Sequence, residues 1–284
     1  MNKDKGHIEE ELFNKLDVPF RQSKEEVWES LSKKIDEQNA EQKTTKVISI
    51  SWVRYAAAAV ICLLLGLTAF FRFHVETFKC KRGEQLIHIL PDGSEIKLNA
   101  ASEVSYHPYW WKLNRELNFE GEAFFNVKKG SAFKVISNAG TTEVLGTSFN
   151  ISTRNSGYTV LCSTGRVRVT ENLNGQEVII EPNMMAFIDD NGLKVKKEVD
   201  ESLHLGWMLG KFNFNAVSLL YVFEELERQY DINIVADRKE AEKQSYTGFF
   251  KKTNEPELSL DLICKSFDLN FVKQGDNTYK VSQN

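Results

Sequence analysis

Apolar and polar residues follow different rules in successive stretches of this chain. Residues 1–50 carry sparse apolar positions among many Glu and Lys. "YAAAAVICLLLGLTAFF", Tyr55 to Phe71, then runs without a charged residue. Short alternating runs fill Glu84 to Val199, and from Leu203 onward alternating and helical periods mix.

The apolar run predicts a membrane span over residues 51–74. Roughly seventeen residues at about 1.5 Å each give about 25 Å of helix, close to the roughly 30 Å hydrocarbon core of a bilayer. Val53 and Phe73 extend it, Arg54 and Arg72 can snorkel to the headgroups, and Trp52 and Tyr55 suit the interface. The alternative is the buried core helix of a soluble domain. About fifty mostly polar residues stand in front, which excludes a cleavable secretory signal. Lys43, Lys46 and Arg54 precede the run while Arg72, Lys79, Lys81 and Arg82 follow it, so flanking charge leaves the orientation open.

Residues 1–50 are too polar to bury a core of their own. Ser23 and Glu26 form a capping box, after which Val27, Trp28, Leu31 and Ile35 share one helical face. A weaker stripe of Ile8, Leu12 and Leu16 precedes Pro19. An apolar face bearing a Trp with nothing to cover it predicts a partner protein. A helix on the membrane surface or a partly disordered spacer are the alternatives.

The stretch from 80 to 200 reads as an all-β domain. "LIHIL", "EIKLN", "ELNFEGEAFFNV", "FKVIS", "EVLGTSFNIS", "YTVLCST", "RVRVT", "EVIIE" and "MAFID" alternate, punctuated by Pro91-Asp92-Gly93-Ser94 and Asn174-Gly175. A sandwich, a roll or a short solenoid would each satisfy the pattern. Residues 203–284 predict an α+β domain. "KFNF" reads as a strand, and Asn215 is placed to cap a helix carrying Leu219, Val222, Phe223, Leu226 and Tyr230. "DINIV" and "YTGFF" are further strands, a second helix starts near Glu257, and "FDLNFV" and "TYKVS" close the chain. "RQYDINIV", from Arg228, and "KSFDLNFV", from Lys265, share a pattern at an offset of 37 residues, which predicts a duplicated βαβ unit.

Candidate chemistry is sparse. Glu120 and Glu122, two apart on a strand, would share a face and could serve as an acid and base; structural strand carboxylates are the alternative. The five histidines, His7, His74, His88, His107 and His204, have no metal-ligand spacing. Cys62, Cys80, Cys162 and Cys264 are widely separated, so neither a metal site nor a disulfide framework is expected. No phosphate loop, nucleophile elbow or dinucleotide fingerprint occurs, so no cofactor is expected. A net charge of -4 disfavours direct nucleic-acid binding. Gly146 before Thr147 would permit attack of the Thr147 hydroxyl on the Gly146 carbonyl and self-cleavage, a strand bulge being the alternative.

The text "LPDGSEIKLNAASEVSY" from Leu90, "RELNFEGEAFFNV" from Arg115, "FKVIS", "TEVLGTSFNIS" from Thr142 and "GRVRV" resembles the FecR-like anti-sigma factors, in their Bacteroidetes form. "GKFNFNAVSLLYVFEELERQYDINI", from Gly210, with "YTGFF" is similar to that family's C-terminal domain, itself similar to the short secretin and TonB-receptor N-terminal fold. The head departs from the pattern, offering only "KEEVWESLSKKI", Lys24 to Ile35, where many relatives have a longer helical segment.

The resemblance implies a single-pass inner-membrane protein with residues 1–50 cytoplasmic, and 80–200 and 203–284 periplasmic. It implies relay of a signal from the N-terminal signalling domain of an outer-membrane TonB-dependent transporter to an extracytoplasmic-function sigma factor. A single span is a poor lever, so proteolysis within the membrane by envelope proteases is a candidate irreversible step. Val27, Trp28, Leu31 and Ile35 are the expected sigma-factor contacts. Phe212, Phe214, Tyr246 and Phe249 are the expected receptor contacts, through strand addition. The competing readings are a membrane-anchored carbohydrate-active hydrolase using Glu120 or Glu122, and an envelope tether that sends no signal inward.

Overall fold

The computed structural model describes residues 22–40, 51–155, 157–189 and 191–283. The expected stripe of Ile8, Leu12 and Leu16 lies outside them.

Helix α1 (Lys24–Ala40) begins at the capping box expected from the sequence. Ser23 N donates to Glu26 Oε2 at 3.0 Å, and Glu26 N donates to Ser23 Oγ at 3.3 Å. These reciprocal bonds satisfy amides that the first helical turn cannot pair internally. Trp28, Leu31 and Ile35 are exposed, Trp28 by 71 %, and Val27 is half-buried.

Helix α2 (Ser51–Phe73) contains a window, Trp52–Phe73, long and apolar enough to cross a membrane, none of it buried within the chain. A core helix of a soluble domain would bury most of this surface, so that alternative fails on exposure.

The chain then folds into a β-rich body. Its strands are β1 (Glu76–Cys80), β2 (Leu86–Ile89), β3 (Glu95–Leu98), β4 (Ser102–Tyr106), β5 (Arg115–Glu120), β6 (Glu122–Asn126) and β7 (Phe133–Ile136). They continue with β8 (Gly140–Val144), β9 (Ser148–Ser152), β10 (Tyr158–Thr164), β11 (Val167–Glu171), β12 (Glu177–Ile180), β13 (Met184–Asp189) and β14 (Gly192–Lys196). One seven-stranded sheet runs β1-β4-β5-β7-β8-β11-β12 and the other β14-β13-β10-β9-β6-β3-β2. The chain crosses between them every one or two strands, and alternate residues of both sheets enter a single core. Of the architectures left open by the sequence, this is a two-layer sandwich. Phe125 and Phe149 stack at 5.1 Å within that core, while Trp111 meets Tyr106 edge-on at 5.1 Å.

The run "ELNFEGEAFFNV" is two strands in different sheets, and the break falls at Gly121. There φ is +105°, and a Cβ would lie 2.4 Å from Ser102 Oγ and 2.7 Å from its Cα. Only glycine lets the chain cross so close to a neighbouring backbone.

The C-terminal region holds α3 (Glu201–Leu205), β15 (Lys211–Ser218), α4 (Leu219–Tyr230), β16 (Asn233–Val235) and α5 (Arg238–Lys243). β17 (Ser245–Lys251), α6 (Pro256–Lys265), β18 (Leu269–Lys273) and β19 (Thr278–Gln283) complete it. Strands β15 and β17 pair antiparallel, and a second sheet runs β16-β19-β18. Two strand–helix–strand runs thus occur in succession. Asp231 and Asp268, at matching places in the two similar octapeptides, both take a left-handed backbone, with φ of 54° and 56°.

The expected cap at Asn215 is displaced. Strand β15 shifts register between Phe214 and Val217, with Ala216 at φ +50°, and carries on to Ser218. Ser218 therefore caps α4, its hydroxyl accepting from Tyr221 N at 3.2 Å.

Replacing Gly121 by Ala is expected to destabilise the fold by more than about 1 kcal/mol. Denaturant unfolding of the detergent-solubilised chain measures it, with Gly175→Ala, whose added Cβ would meet nothing within 4 Å, as the comparison.

Candidate functional site

Helix α4 follows the period of its apolar residues, and that period places Glu225 and Gln229 on the buried face beside Val222 and Leu226. This face meets the sandwich along a seam centred on Arg154, in the loop after β9. The Arg154 side chain is 4 % exposed. Its Nη1 binds the Glu225 carboxylate of α4 directly and lies 3.4 Å from Glu122 Oε2 of β6. Its Nη2 donates to Ala100 O at 2.8 Å. Around this cation, Asn99 Nδ2 donates to Glu122 at 2.8 Å, and Gln229 Nε2 donates to Asn99 Oδ1 at 2.7 Å and to Glu225 Oε1 at 2.9 Å. Arg228 Nε donates to Glu225 Oε2 at 3.1 Å.

The two carboxyls, though both on Arg154, are shifted in opposite directions. Burial pushes the Glu122 carboxyl up, and the nearby charge of Glu225 adds to the rise. Burial also opposes the charge of Glu225, but Arg154 and Arg228, with the Gln229 hydrogen bond, overcome it and hold that carboxyl below its ordinary value.

The sandwich also caps the C-terminal end of α4. Arg82 Nε donates to Glu227 O at 3.1 Å, and Gly83 N donates to Arg228 O at 2.8 Å. Glu227 O also accepts from Asp231 N, and the guanidinium adds a further bond to it while facing the negative end of the helix dipole. A cavity of about 440 Å³ opens beside the seam, its lining including Glu122, Glu225, Trp207 and Asn213.

Glu120 and Glu122 do not form the shared face that their spacing implied. They belong to different sheets, because the chain crosses over at Gly121, and Glu120 is exposed while Glu122 is engaged by Arg154 and Asn99. The carboxylates that converge are Glu122 and Glu225, and a buried arginine joins them. Among the described residues no group of three His, Cys, Asp or Glu is placed to hold a metal ion. Burial pushes the thiols of Cys162 and Cys264 up to about 11.

Of the expected receptor contacts, Phe212, Phe214 and Tyr246 are buried in the C-terminal core, because alternation turns their side of the two-stranded sheet inward onto Leu219, Val222 and Leu226. Phe249, on the other face, is 66 % exposed.

Gly146 and Thr147 lie where the chain crosses from β8 to β9. Gly146 has φ +150°, and a Cβ there would come within 2.7 Å of Lys129 Cα. Thr147 is buried and its Oγ1 has no hydrogen-bond partner within the protein.

Arg154, Glu225 and Gln229 escaped the sequence reading. Glu225 and Gln229 left a signal there, as polar residues falling on an apolar helical stripe. Arg154 left none, being a lone arginine in a polar loop.

The sandwich and the C-terminal region each match a family. Residues 76–168 match the FecR protein family, and residues 211–281 match the FecR C-terminal family, together more than half of the chain. Two crystal structures of a candidate anti-sigma factor from Parabacteroides distasonis ATCC 8503, at 2.50 and 1.65 Å resolution, superpose with TM-scores of 0.67 and 0.66. Each is 26% identical and covers 74% of this chain, over 100% and 99% of its own length respectively. No curated protein matches. The chain belongs to the FecR family. Within it, this is a FecR-like anti-sigma factor.

Removing one partner of a buried ion cluster leaves an uncompensated charge, so Arg154→Met is expected to cost about 3–5 kcal/mol. Glu122→Gln keeps a hydrogen-bonding group and removes the less favoured charge, so at pH 7 it is expected to be neutral or stabilising. The sign with pH follows from the raised Glu122 carboxyl: ionising it costs stability as pH rises above its unfolded value of about 4.5. The advantage of Glu122→Gln over the parent therefore grows from about pH 4.5 upward, as read by unfolding midpoints across pH.

Proposed function

We propose that this protein is a single-pass regulator of the inner membrane that holds a sigma factor through residues 1–50 and releases or activates it when its C-terminal region is engaged. The observation that carries the reading is the wholly uncovered apolar helix Trp52–Phe73, which joins a helix exposing Trp28 to a FecR-type body. Residues 1–50 lie in the cytoplasm in this reading, and the regions 80–200 and 203–284 lie in the periplasm. The sigma factor, of the extracytoplasmic-function class, takes the face formed by Val27, Trp28, Leu31 and Ile35, with Trp28 as its anchor.

The signal enters from the N-terminal signalling domain of an outer-membrane TonB-dependent transporter. The sheet of β15 and β17 has only two strands, so each leaves an edge for strand addition, and Phe249 is exposed beside it. Like order and the equal backbone at Asp231 and Asp268 support reading the two strand–helix–strand runs as copies of one unit. FecR-family proteins are regulatory, and the Glu122–Arg154–Glu225 cluster serves here as a structural seam and not as an acid and base.

One span transmits a conformational change poorly, so chain cleavage, by envelope proteases or by the chain itself, supplies an irreversible step. The unpartnered Oγ1 of Thr147 favours the second route. That oxygen attacks the Gly146 carbonyl carbon as the hydroxyl proton passes to the departing amide nitrogen. The C–N bond breaks, leaving an ester and a free Thr147 amine. Water then hydrolyses the ester, giving a Gly146 carboxylate and restoring the hydroxyl.

Deleting residues 1–50 is expected to change target transcription strongly, and Trp28→Ala to do so partially, in a reporter assay; no change from the deletion would leave only a tether. Mass spectrometry of protein from cells is expected to show a fragment beginning at Thr147 that persists in Thr147→Ser and disappears in Thr147→Ala. An intact parent chain would remove self-cleavage.

A further inference from the structure

The residues after the apolar helix run directly into the sandwich, and a short aromatic turn returns to touch them. Pro108–Trp110 forms a single 3-10 turn between β4 and β5, within the text "PYWWKLN". The Tyr109 ring lies edge-on to the Phe71 ring of α2, centroids 4.7 Å apart. Arg72 of α2 lies over the Trp110 ring at 5.3 Å, and His107 Nδ1 is 3.0 Å from His74 O.

These contacts fix a depth. If Trp52–Phe73 crosses the bilayer, then Phe71 and Arg72 stand at its surface, and Tyr109 and Trp110 stand at the same level. The residues around them have the composition of an interface anchor. Tyr109 is 55 % exposed, Leu113 is 77 % exposed, and Lys112 beside it is exposed. Basic side chains continue next to the turn: Arg115 Nη2 donates to Lys128 O at 2.9 Å, and Lys128 and Lys129 are both exposed. Such aromatic, leucine and lysine groups partition to the headgroup region, where ring and stem enter the apolar boundary and the charge meets anionic lipid.

We infer that the turn from Tyr109 to Leu113 is a membrane foot, seated in the lipid headgroup layer with Lys112, Lys128 and Lys129 over anionic phosphates, and that it holds the sandwich at a set attitude on the bilayer. The inference rests on the spanning helix of the proposed function. With the helix end and the foot both at the surface, the body has two points of attachment and loses the freedom to swing on a single strand.

The test uses the full-length chain with Cys62→Ser, so that an environment-sensitive fluorophore reacts at one introduced thiol; Cys80, Cys162 and Cys264 are buried. The label is placed at Leu113→Cys, at Val60→Cys within α2, or at Leu173→Cys. Leu173 is 92 % exposed and follows β11 at the end of the sheet opposite to the foot, by the register linking Glu171 to Gly140. The protein is reconstituted in phosphatidylethanolamine and phosphatidylglycerol vesicles carrying nitroxide lipids. Quenching at Leu113 by a nitroxide near the headgroup is expected to be several-fold stronger than at Leu173, with Val60 quenched by a mid-chain nitroxide. Quenching at Leu113 no greater than at Leu173 overturns the foot. If Val60 is still quenched, the foot alone has failed; if it is not, the span has failed and the foot with it. A Leu113 probe shielded from water, unquenched by lipid and sensitive to protein concentration places a second copy there and also overturns the inference.

Discussion

A guanidinium taken out of water costs several kcal/mol unless acceptors surround it. Arg154 meets that cost only with groups from both sides of the seam: Glu122 and the Ala100 carbonyl from the sandwich, and Glu225 from α4. The C-terminal region is therefore part of what makes a buried arginine tolerable in the sandwich. The reverse also holds, since Gly83 N supplies the bond to Arg228 O of α4 and Arg82 adds a charge at that helix end. Each part leaves polar groups in the other's care, and this couples them more specifically than apolar contact would.

That coupling bears on how a signal could travel. In the proposed function a partner adds a strand at β15 or β17, whose sheet packs against α4, and α4 carries Glu225 into the seam. Any shift of α4 alters the company of Arg154, whose alternatives are few and costly. On that reading the Arg154 seam is the polar route by which the C-terminal region is tied to the sandwich.

The text that carries the family likeness is mostly structural. Asp92 of the "LPDGS" turn is bound by Arg115, whose Nε donates to its Oδ2 at 2.8 Å, and Ser94 completes the knot. The Asp92 carboxyl is held low although burial opposes its charge, because Ser94 and Arg115 bind the ionised form. Gly121 permits the sheet crossing, and Glu122 beside it enters the seam. The Gly146–Thr147 pair occupies a second crossing, where Lys129 backbone leaves no room for a side chain.

Local patterns along the chain sufficed for the elements that depend on near neighbours. The capping box at Ser23 and Glu26, the apolar length of α2, the alternation of most strands and the apolar stripe of α4 involve residues a few positions apart, and they were legible as written. The breaks at Gly121 and around Gly146, the cap at Ser218 in place of Asn215, and the inward turn of Phe212, Phe214 and Tyr246 were decided by packing across sheets. Burial of Arg154 between Glu122 and Glu225 joins residues dozens of positions apart, whose types are ordinary in loops and on helices. Only tertiary structure brings such charges together, because their mutual attraction matters once water has been excluded, and exclusion of water is a property of the assembled fold.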